Sequence, residues 1–377
     1  MQRTVLFIFG TRPEAIKLCP LLLKLRSFPG LYAPKVCVTA QHRGMLDQVL
    51  AAFAVTPDYD LNVMMPGQTL FQSTARMIQA LEQPFAESKP DLAVVQGDTT
   101  TTLCGALAAF YSGVPVAHVE AGLRTGDLRQ PFPEELNRVL TARMTALHFA
   151  ATSAAADNLR REGISENVWV TGNTGIDAVL AIRDRLERGQ LAAPDSGYDR
   201  PGKRLILVTA HRRESFGEGF ERICQALAKI AGRNDVHVVY PVHPNPNVQT
   251  IVNGRLRGHP NITLTEPMDY VPFVDLMRRS YLLLTDSGGI QEEGPSLGKP
   301  VLVLREKTER PEAVEAGTVK LVGTDIDRIV RETTTLLDCP DEYARMSRIH
   351  NPYGDGHASE RIEAAIRGSW IPVSGPE

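Results

Sequence analysis

The sequence lacks the usual frameworks for holding a metal or a redox cofactor. Its five cysteines, Cys19, Cys37, Cys104, Cys224 and Cys339, form no C-x-x-C, and they sit within apolar helix or strand patterns. They are expected as buried free thiols in a reducing compartment rather than as a disulfide set. Nine histidines include no H-E-x-x-H and no pairing with cysteine, so no metal is expected. No G-x-G-x-x-G with a suitably spaced acidic residue is present, so a tightly bound NAD is not indicated and no cofactor is expected. No apolar run is long and unbroken enough to span a bilayer. Basic residues are scattered, and a net charge of −3 gives no support for binding nucleic acid or a membrane. Met1-Gln2-Arg3-Thr4-Val5 enters a strand pattern at once, without the segments of a secretory signal, so a cytoplasmic protein is expected. No short repeat or low-complexity segment is visible.

What is present is an ordinary globular composition, 43% hydrophobic and 23% charged, over 377 residues. That length exceeds what one core usually serves, so two domains are expected. Short β-branched runs alternate with amphipathic stretches of helical length, the pattern of βαβ units and parallel sheets. Leu18, Leu21, Leu22 and Leu25 give one face of a first helix, and Pro13 suits its first turn. Gly172-Asn173-Thr174-Gly175 marks a break, followed by a helix near 176–188 and a Gly-, Pro-, Asp- and Ser-rich connection over 189–203. The turn cluster Asn351-Pro352-Tyr353-Gly354-Asp355-Gly356 precedes a last helix. The expectation is an α/β chain with two doubly wound, Rossmann-like domains. Residues 1–172 form the first, with about 357–377 packing back onto it, and 173–356 form the second. The cleft between two such domains would close by hinge motion and exclude water.

Seven apolar runs each lead into a polar cluster. Phe7-Ile8-Phe9 leads to Gly10-Thr11-Arg12-Pro13-Glu14, Val36-Cys37-Val38 to Gln41-His42-Arg43, and Leu92-Ala93-Val94-Val95 to Gly97-Asp98-Thr99-Thr100. Val114-Pro115-Val116-Ala117 leads to Glu120-Ala121-Gly122-Leu123-Arg124, and Leu205-Ile206-Leu207-Val208 to His211-Arg212-Arg213-Glu214. Val236-His237-Val238-Val239 leads to His243-Pro244-Asn245-Pro246, and Leu282-Leu283-Leu284 to Asp286-Ser287-Gly288-Gly289. In a parallel sheet all such clusters lie at the carboxyl edge, where open α/β folds bind ligands. An enzyme site for an anionic substrate follows.

Ser287-Gly288-Gly289 opens a helix after a strand, where free N–H groups and the helix dipole favour a phosphate. Glu293, one turn on, suits ribose hydroxyls; the alternative is a plain βα turn capped by Ser287. Arg310 has the planar fork of a phosphate ligand, or is a surface ion pair. Arg12 and Lys17 make a second anion contact, though Lys17 alone would read as a solvated helix face. Asp98, Glu120, Glu134, Glu135 and His211 are the titratable candidates. Each has a plainer alternative: Asp98 as the cap of the Thr-rich helix, one of Glu134 and Glu135 as a cap-region charge, His211 as a satisfied core histidine. Taken together, these groups at strand and helix ends favour acid–base chemistry on a sugar.

Six motifs carry a family resemblance. They are Gly10-Thr11-Arg12-Pro13-Glu14-Ala15, Gln96-Gly97-Asp98-Thr99, His118-Val119-Glu120-Ala121-Gly122-Leu123-Arg124, His211-Arg212-Arg213-Glu214, Asp286 through Glu293, and Glu309-Arg310-Pro311-Glu312. In this order, over about residues 4 to 368, the chain resembles the bacterial non-hydrolysing UDP-N-acetylglucosamine 2-epimerases. The resemblance implies a GT-B fold, an active site in the interdomain cleft, a homodimer, and neither NAD nor metal. It implies interconversion of UDP-GlcNAc and UDP-ManNAc by anti elimination of UDP, through 2-acetamidoglucal, and re-addition. The product would supply ManNAc units for cell-surface polysaccharide. By similarity, Asp98, Glu120 and Glu134 take the acid–base roles and His211 contacts the diphosphate. Arg12, Lys17, Ser287, Gly288, Gly289, Glu293 and Arg310 hold UDP, with Phe273 near the uracil. Met268 departs from relatives that carry a glutamine there. Gln41, Glu135, Arg212 and His243 match an adjacent allosteric site where a second UDP-GlcNAc activates turnover.

The competing readings are a hydrolysing epimerase releasing ManNAc and UDP, a GT-B glycosyltransferase, and a non-catalytic UDP-sugar sensor. The Gln41, Arg212 and His243 set argues against the first. No basic–aromatic stripe marks an acceptor site for the second. The set of acid–base candidates argues against the third.

Overall fold

A computed structural model describes residues 2–39, 43–65, 67–192, 197–348 and 351–369. Gln41 lies outside the described residues. The alternation read in the sequence becomes two parallel sheets. The first holds β1 (Arg3–Phe9), β2 (Tyr32–Val38), β3 (Tyr59–Asp60), β4 (Leu92–Gln96), β5 (Val116–Val119), β6 (Leu147–Ala150) and β7 (Val168–Val170). Their order is β3-β2-β1-β4-β5-β6-β7. The second holds β8 (Arg204–Thr209), β9 (Val236–Pro241), β10 (Ile262–Thr265), β11 (Leu282–Thr285), β12 (Val301–Val303) and β13 (Val319–Leu321). Their order is β10-β9-β8-β11-β12-β13. β3 is only two residues long, and its shortness hid it from a reading by apolar periodicity.

Central strands of such sheets are covered on both faces, which is why they read as continuous apolar runs rather than as alternations. Val5 through Phe9 of β1 are all fully buried. Phe7 sits opposite Val36 on one side and Val94 on the other. In the second sheet Ile206 lies between Val238 and Leu282. The helix Arg12–Arg26 lays Leu18, Leu21, Leu22 and Leu25 into the first core, all fully buried. Each such leucine contributes about 2 kcal/mol of burial. The helix begins at Thr11, which forms a reciprocal capping box with Glu14, and Pro13 occupies its first turn.

By their contacts the residues fall into two compact units. One runs to Ala178 and resumes at Tyr353; the other is Val179–Pro352. The division thus runs through the helix Thr174–Glu187, a few residues after the glycine turn at 172, and again just before Tyr353. Within the first unit the helix Ala358–Gly368 packs on Arg12–Arg26. Asp177 accepts from the N–H groups of Ser359 at 2.7 Å and Ala358 at 3.2 Å, so a carboxylate meets the positive end of that helix.

Four of the cysteines are buried, and burial pushes the thiols of Cys19, Cys37, Cys104 and Cys224 up to about 12, which makes them inert. Cys339 departs from the expectation. It is exposed, at the junction of helices Ile326–Asp338 and Pro340–Ser347. Among the described residues, no helix is long and apolar enough to cross a membrane. No group of three His, Cys, Asp or Glu side chains among them is arranged to hold a metal ion.

Candidate active site

In each sheet the chain reverses direction of growth at one place, between β1 and β4 in the first and between β8 and β11 in the second. Such switch points open a crevice at the carboxyl ends of the strands. The acidic clusters gather at the first and the glycine-rich helix start at the second.

At the first, β4 ends in a turn at Gly97 with φ of +74°, and a side chain there would also lie 3.6 Å from Glu120 Oε2. The positive φ calls for glycine, and the Glu120 carboxylate lies within van der Waals reach of the turn that presents Asp98. His118 fixes the turn through a 2.7 Å hydrogen bond between its Nε2 and the Gly97 carbonyl. Asn137 Nδ2 donates to the Asp98 carbonyl at 2.9 Å. The cap of helix Thr100–Tyr111 is Thr99, whose hydroxyl accepts from Thr102 N. Asp98 is thereby released from the capping role that the sequence left open. Its Oδ2 lies 3.1 Å from Arg138 Nη2.

Glu120 adopts φ of +64°, a left-handed backbone that is costly for a residue with a side chain. Its Oε1 pairs with Lys17 Nζ at 2.5 Å, and Gln96 Nε2 donates to Oε2. Lys17 is thus no solvated helix face. Arg12, at the start of the same helix, is half-buried. Glu134 is the first residue of helix Glu134–Met144 and half-buried; Glu135 beside it is buried. Glu135 Oε1 accepts from the N–H groups of Thr125 and Gly126, each at 3.0 Å, and Oε2 is 3.4 Å from Arg138 Nε.

This setting decides the protonation of Asp98. Burial raises its pKa to about 6. Arg138 opposes that, Glu120 adds to it, Lys17 opposes, and Glu134 adds. A carboxyl poised near neutrality both takes and returns a proton.

At the second switch point, Asp286 is fully buried and organises the end of β8. Its Oδ2 accepts from the N–H groups of His211 and Arg212, both at 2.7 Å, and Oδ1 lies 3.3 Å from His211 Nδ1. His211 is partly exposed and stacks on exposed His243, ring centroids 5.3 Å apart. Burial lowers its pKa, Asp286 counteracts, and His243 and Arg212 add to the lowering. His211 is thus held by a carboxylate at the rim, not packed away in the core.

Helix Gly288–Ser296 starts beside it, and Ser287 at its cap position makes no side-chain capping bond. A methyl group on Gly288 would be 3.8 Å from Arg310 Nη2, and one on Gly289 would be 4.0 Å from Glu293 Oε1. Arg310 and Glu293 thus flank the first N–H groups of the helix. Arg310 Nε donates to Glu292, so its orientation is fixed. Phe273 and Met268 are half-buried, at the start of helix Tyr270–Arg279 and just before it.

Comparison with known proteins now bears on this geometry. The family profile for UDP-N-acetylglucosamine 2-epimerase matches residues 30–367. The chain belongs to the UDP-N-acetylglucosamine 2-epimerase family. It is 57% identical to the UDP-N-acetylglucosamine 2-epimerase of Escherichia coli strain K12, over 98% of this chain and 100% of that one. The epimerase of Neisseria meningitidis, solved bound to UDP-GlcNAc, superposes with a TM-score of 0.87 at 47% identity, covering 97% of this chain and 100% of that one. The Methanocaldococcus jannaschii enzyme, solved with UDP-GlcNAc and UDP, gives 0.78 at 33%, covering 97% and 99%. The fold is of the GT-B type that the motifs implied.

Several residues that hold this candidate site were not assigned a site role from the sequence, although Gln96 and Asp286 stand in the quoted motifs. Arg138, Asn137 and Gln96 hold Asp98 and Glu120, and Asp286 holds His211. Arg305 Nε pairs with Glu214 at 2.5 Å, tying the loop after β12 to the one after β8. Nothing in their spacing shows these partners, because each acts on a residue distant in sequence. The helix start with Arg310 yields a first prediction. Arg310→Ala should weaken UDP binding by about ten- to a hundredfold, the loss of charge-assisted bonds, measured by titration calorimetry with a thermal melt to confirm folding. Unchanged affinity would remove Arg310 from the site.

Proposed function

We propose that the chain interconverts UDP-GlcNAc and UDP-ManNAc by the non-hydrolysing route. The observation that carries this is the Asp98 carboxyl, poised at about 6 beside Glu120 and Lys17, in a chain of this family. The sugar C2–H is weakly acidic, so a lone base would not remove it. In the proposed elimination a base takes that proton, the C–H electrons form the C1–C2 double bond, and the C1–O bond breaks to release UDP. 2-Acetamidoglucal remains. UDP then re-adds at C1 while a proton returns to the other face of C2. Asp98, Glu120 and Glu134 serve these proton transfers. His211, the start of helix Gly288–Ser296 and Arg310 take up the charge on departing UDP. Arg12 and Lys17 add an anion contact, Glu293 meets the ribose, and Phe273 and Met268 lie toward the uracil. The scheme uses neither cofactor nor metal. The resemblance supports a cytoplasmic homodimer that supplies ManNAc units for cell-surface polysaccharide.

Incubation with UDP-GlcNAc in D₂O, followed by proton NMR, tests the proposal. UDP-ManNAc carrying deuterium at C2 is the expected product. Free ManNAc with UDP would instead make the chain a hydrolysing epimerase. No conversion and no exchange would favour a glycosyltransferase lacking its acceptor.

A second part of the proposal is activation by another UDP-GlcNAc molecule. It is supported by the resemblance at Gln41, Glu135, Arg212 and His243, and by the seats of Arg212 and His243 around His211. UDP-ManNAc freed of UDP-GlcNAc should therefore react with a lag that traces of UDP-GlcNAc abolish. Full speed from the first turnover would sink the idea.

A further inference from the structure

Arg138 is almost buried, its side chain 10% exposed, and it stands between two carboxylates. Nη2 reaches Asp98 Oδ2 at 3.1 Å and Nε reaches Glu135 Oε2 at 3.4 Å. A guanidinium taken out of water is costly unless its partners are well placed, and removing one partner leaves an uncompensated charge. Here the far partner is itself anchored. Glu135 is 1% exposed and bound to the Thr125 and Gly126 amides, so it cannot follow Asp98 if that carboxylate moves. Glu135 thus sets a fixed negative charge behind the guanidinium, and Asp98 is the partner that faces the site.

We infer that Arg138, backed by the anchored charge of Glu135, is a positioning residue that holds the Asp98 carboxylate in the orientation and charge state its proton transfer requires. The inference rests on the function proposed above. A purely structural role is a poor account of the contact, because the turn carrying Asp98 is already held. Asn137 binds the Asp98 carbonyl, His118 the Gly97 carbonyl, and Gly97 N donates to Val119 O at 3.0 Å. The bond from Arg138 adds nothing to the backbone there; it acts on the carboxylate. The groups facing that carboxylate are Arg138 and Lys17, which favour its charged form, and Glu120 and Glu134, which oppose it along with burial. Taking away Arg138 leaves Lys17, already shared with Glu120, as the one cation named among them.

The test is the pH dependence of kcat for UDP-GlcNAc in wild type, Arg138→Gln and Arg138→Lys, read by C2 deuterium incorporation. In Arg138→Gln the acid limb, expected near 6 in wild type, should move up by about one pH unit, which is about a tenfold loss of kcat at pH 5 and about twofold at pH 7. KM should change less than about threefold, since the contact favours proton transfer rather than ground-state binding. Arg138→Lys keeps the charge but loses the fork, so its limb should stay in place while kcat falls several-fold. An unshifted limb in Arg138→Gln, or a loss confined to KM, would overturn the inference. If Arg138→Gln fails to fold, Arg138→Lys decides: wild-type kcat in it would also overturn the inference. Failure of the underlying function reads differently, as an absence of C2 exchange in wild type itself.

Discussion

Asp98→Asn should lower epimerisation about a thousandfold, the range expected when one acid–base group is lost. KM for UDP-GlcNAc should move little. The amide keeps the size of the carboxyl and leaves the Asn137 bond to the backbone carbonyl in place, but cannot exchange a proton. The same variant should be more stable than wild type at neutral pH. The native pKa of Asp98 is raised to about 6, first by burial, whereas the unfolded chain has an ordinary aspartate. Between these values the native state binds a proton that the unfolded state has released. Stability from this group is therefore full below about pH 4 and lost as pH rises through about 6. By pH 7.5 a charged Asp98 costs roughly 3 kcal/mol, which an uncharged amide removes, so the thermal melts of the two proteins should agree below about pH 4 and separate as pH rises through about 6. A variant with full activity would remove Asp98 from the chemistry. One that is inactive and also less stable at pH 7.5 would refute the electrostatic account.

Asp286→Asn should cost about a hundredfold or more in kcat, although Asp286 itself makes no proposed contact with substrate. Its oxygen would still accept from the His211 and Arg212 amides, so the loop after β8 should keep its shape. The change is at the imidazole. An amide N–H facing His211 Nδ1 disfavours the imidazolium that would meet the diphosphate. Burial, His243 and Arg212 already depress this histidine, and Asp286 is the group that opposes them. Without that charge, protonated His211 should be lost at a lower pH, and the basic limb of kcat should move down. Histidine NMR titration reports the same shift directly. A rate loss with His211 titrating as in wild type would mean that Asp286 acts by shaping the loop alone.

Both predictions concern partners that are distant along the chain, and this marks the boundary of what could be read from sequence. Local order determined the strands, since continuous apolar runs such as Leu92 through Val95 are what a doubly covered sheet requires. It determined the first helix through Pro13 and the leucine face. It placed Asp98, Glu120, His211 and Ser287 just beyond strands, where the chain leaves the sheet. Tertiary structure decided which strands adjoin, because crossover connections permit many strand orders. Only the placement of β4 beside β1, and β11 beside β8, turns separate clusters into two sites. It paired Lys17 with Glu120 across 103 residues and set Asp286 on the His211 amide across 75. It also left Cys339 exposed while the other four cysteines are buried. The physical reason is common to all of these. Propensity and capping act within a few residues, whereas the burial and pairing that set a carboxyl's charge depend on groups that only folding brings within a few ångströms.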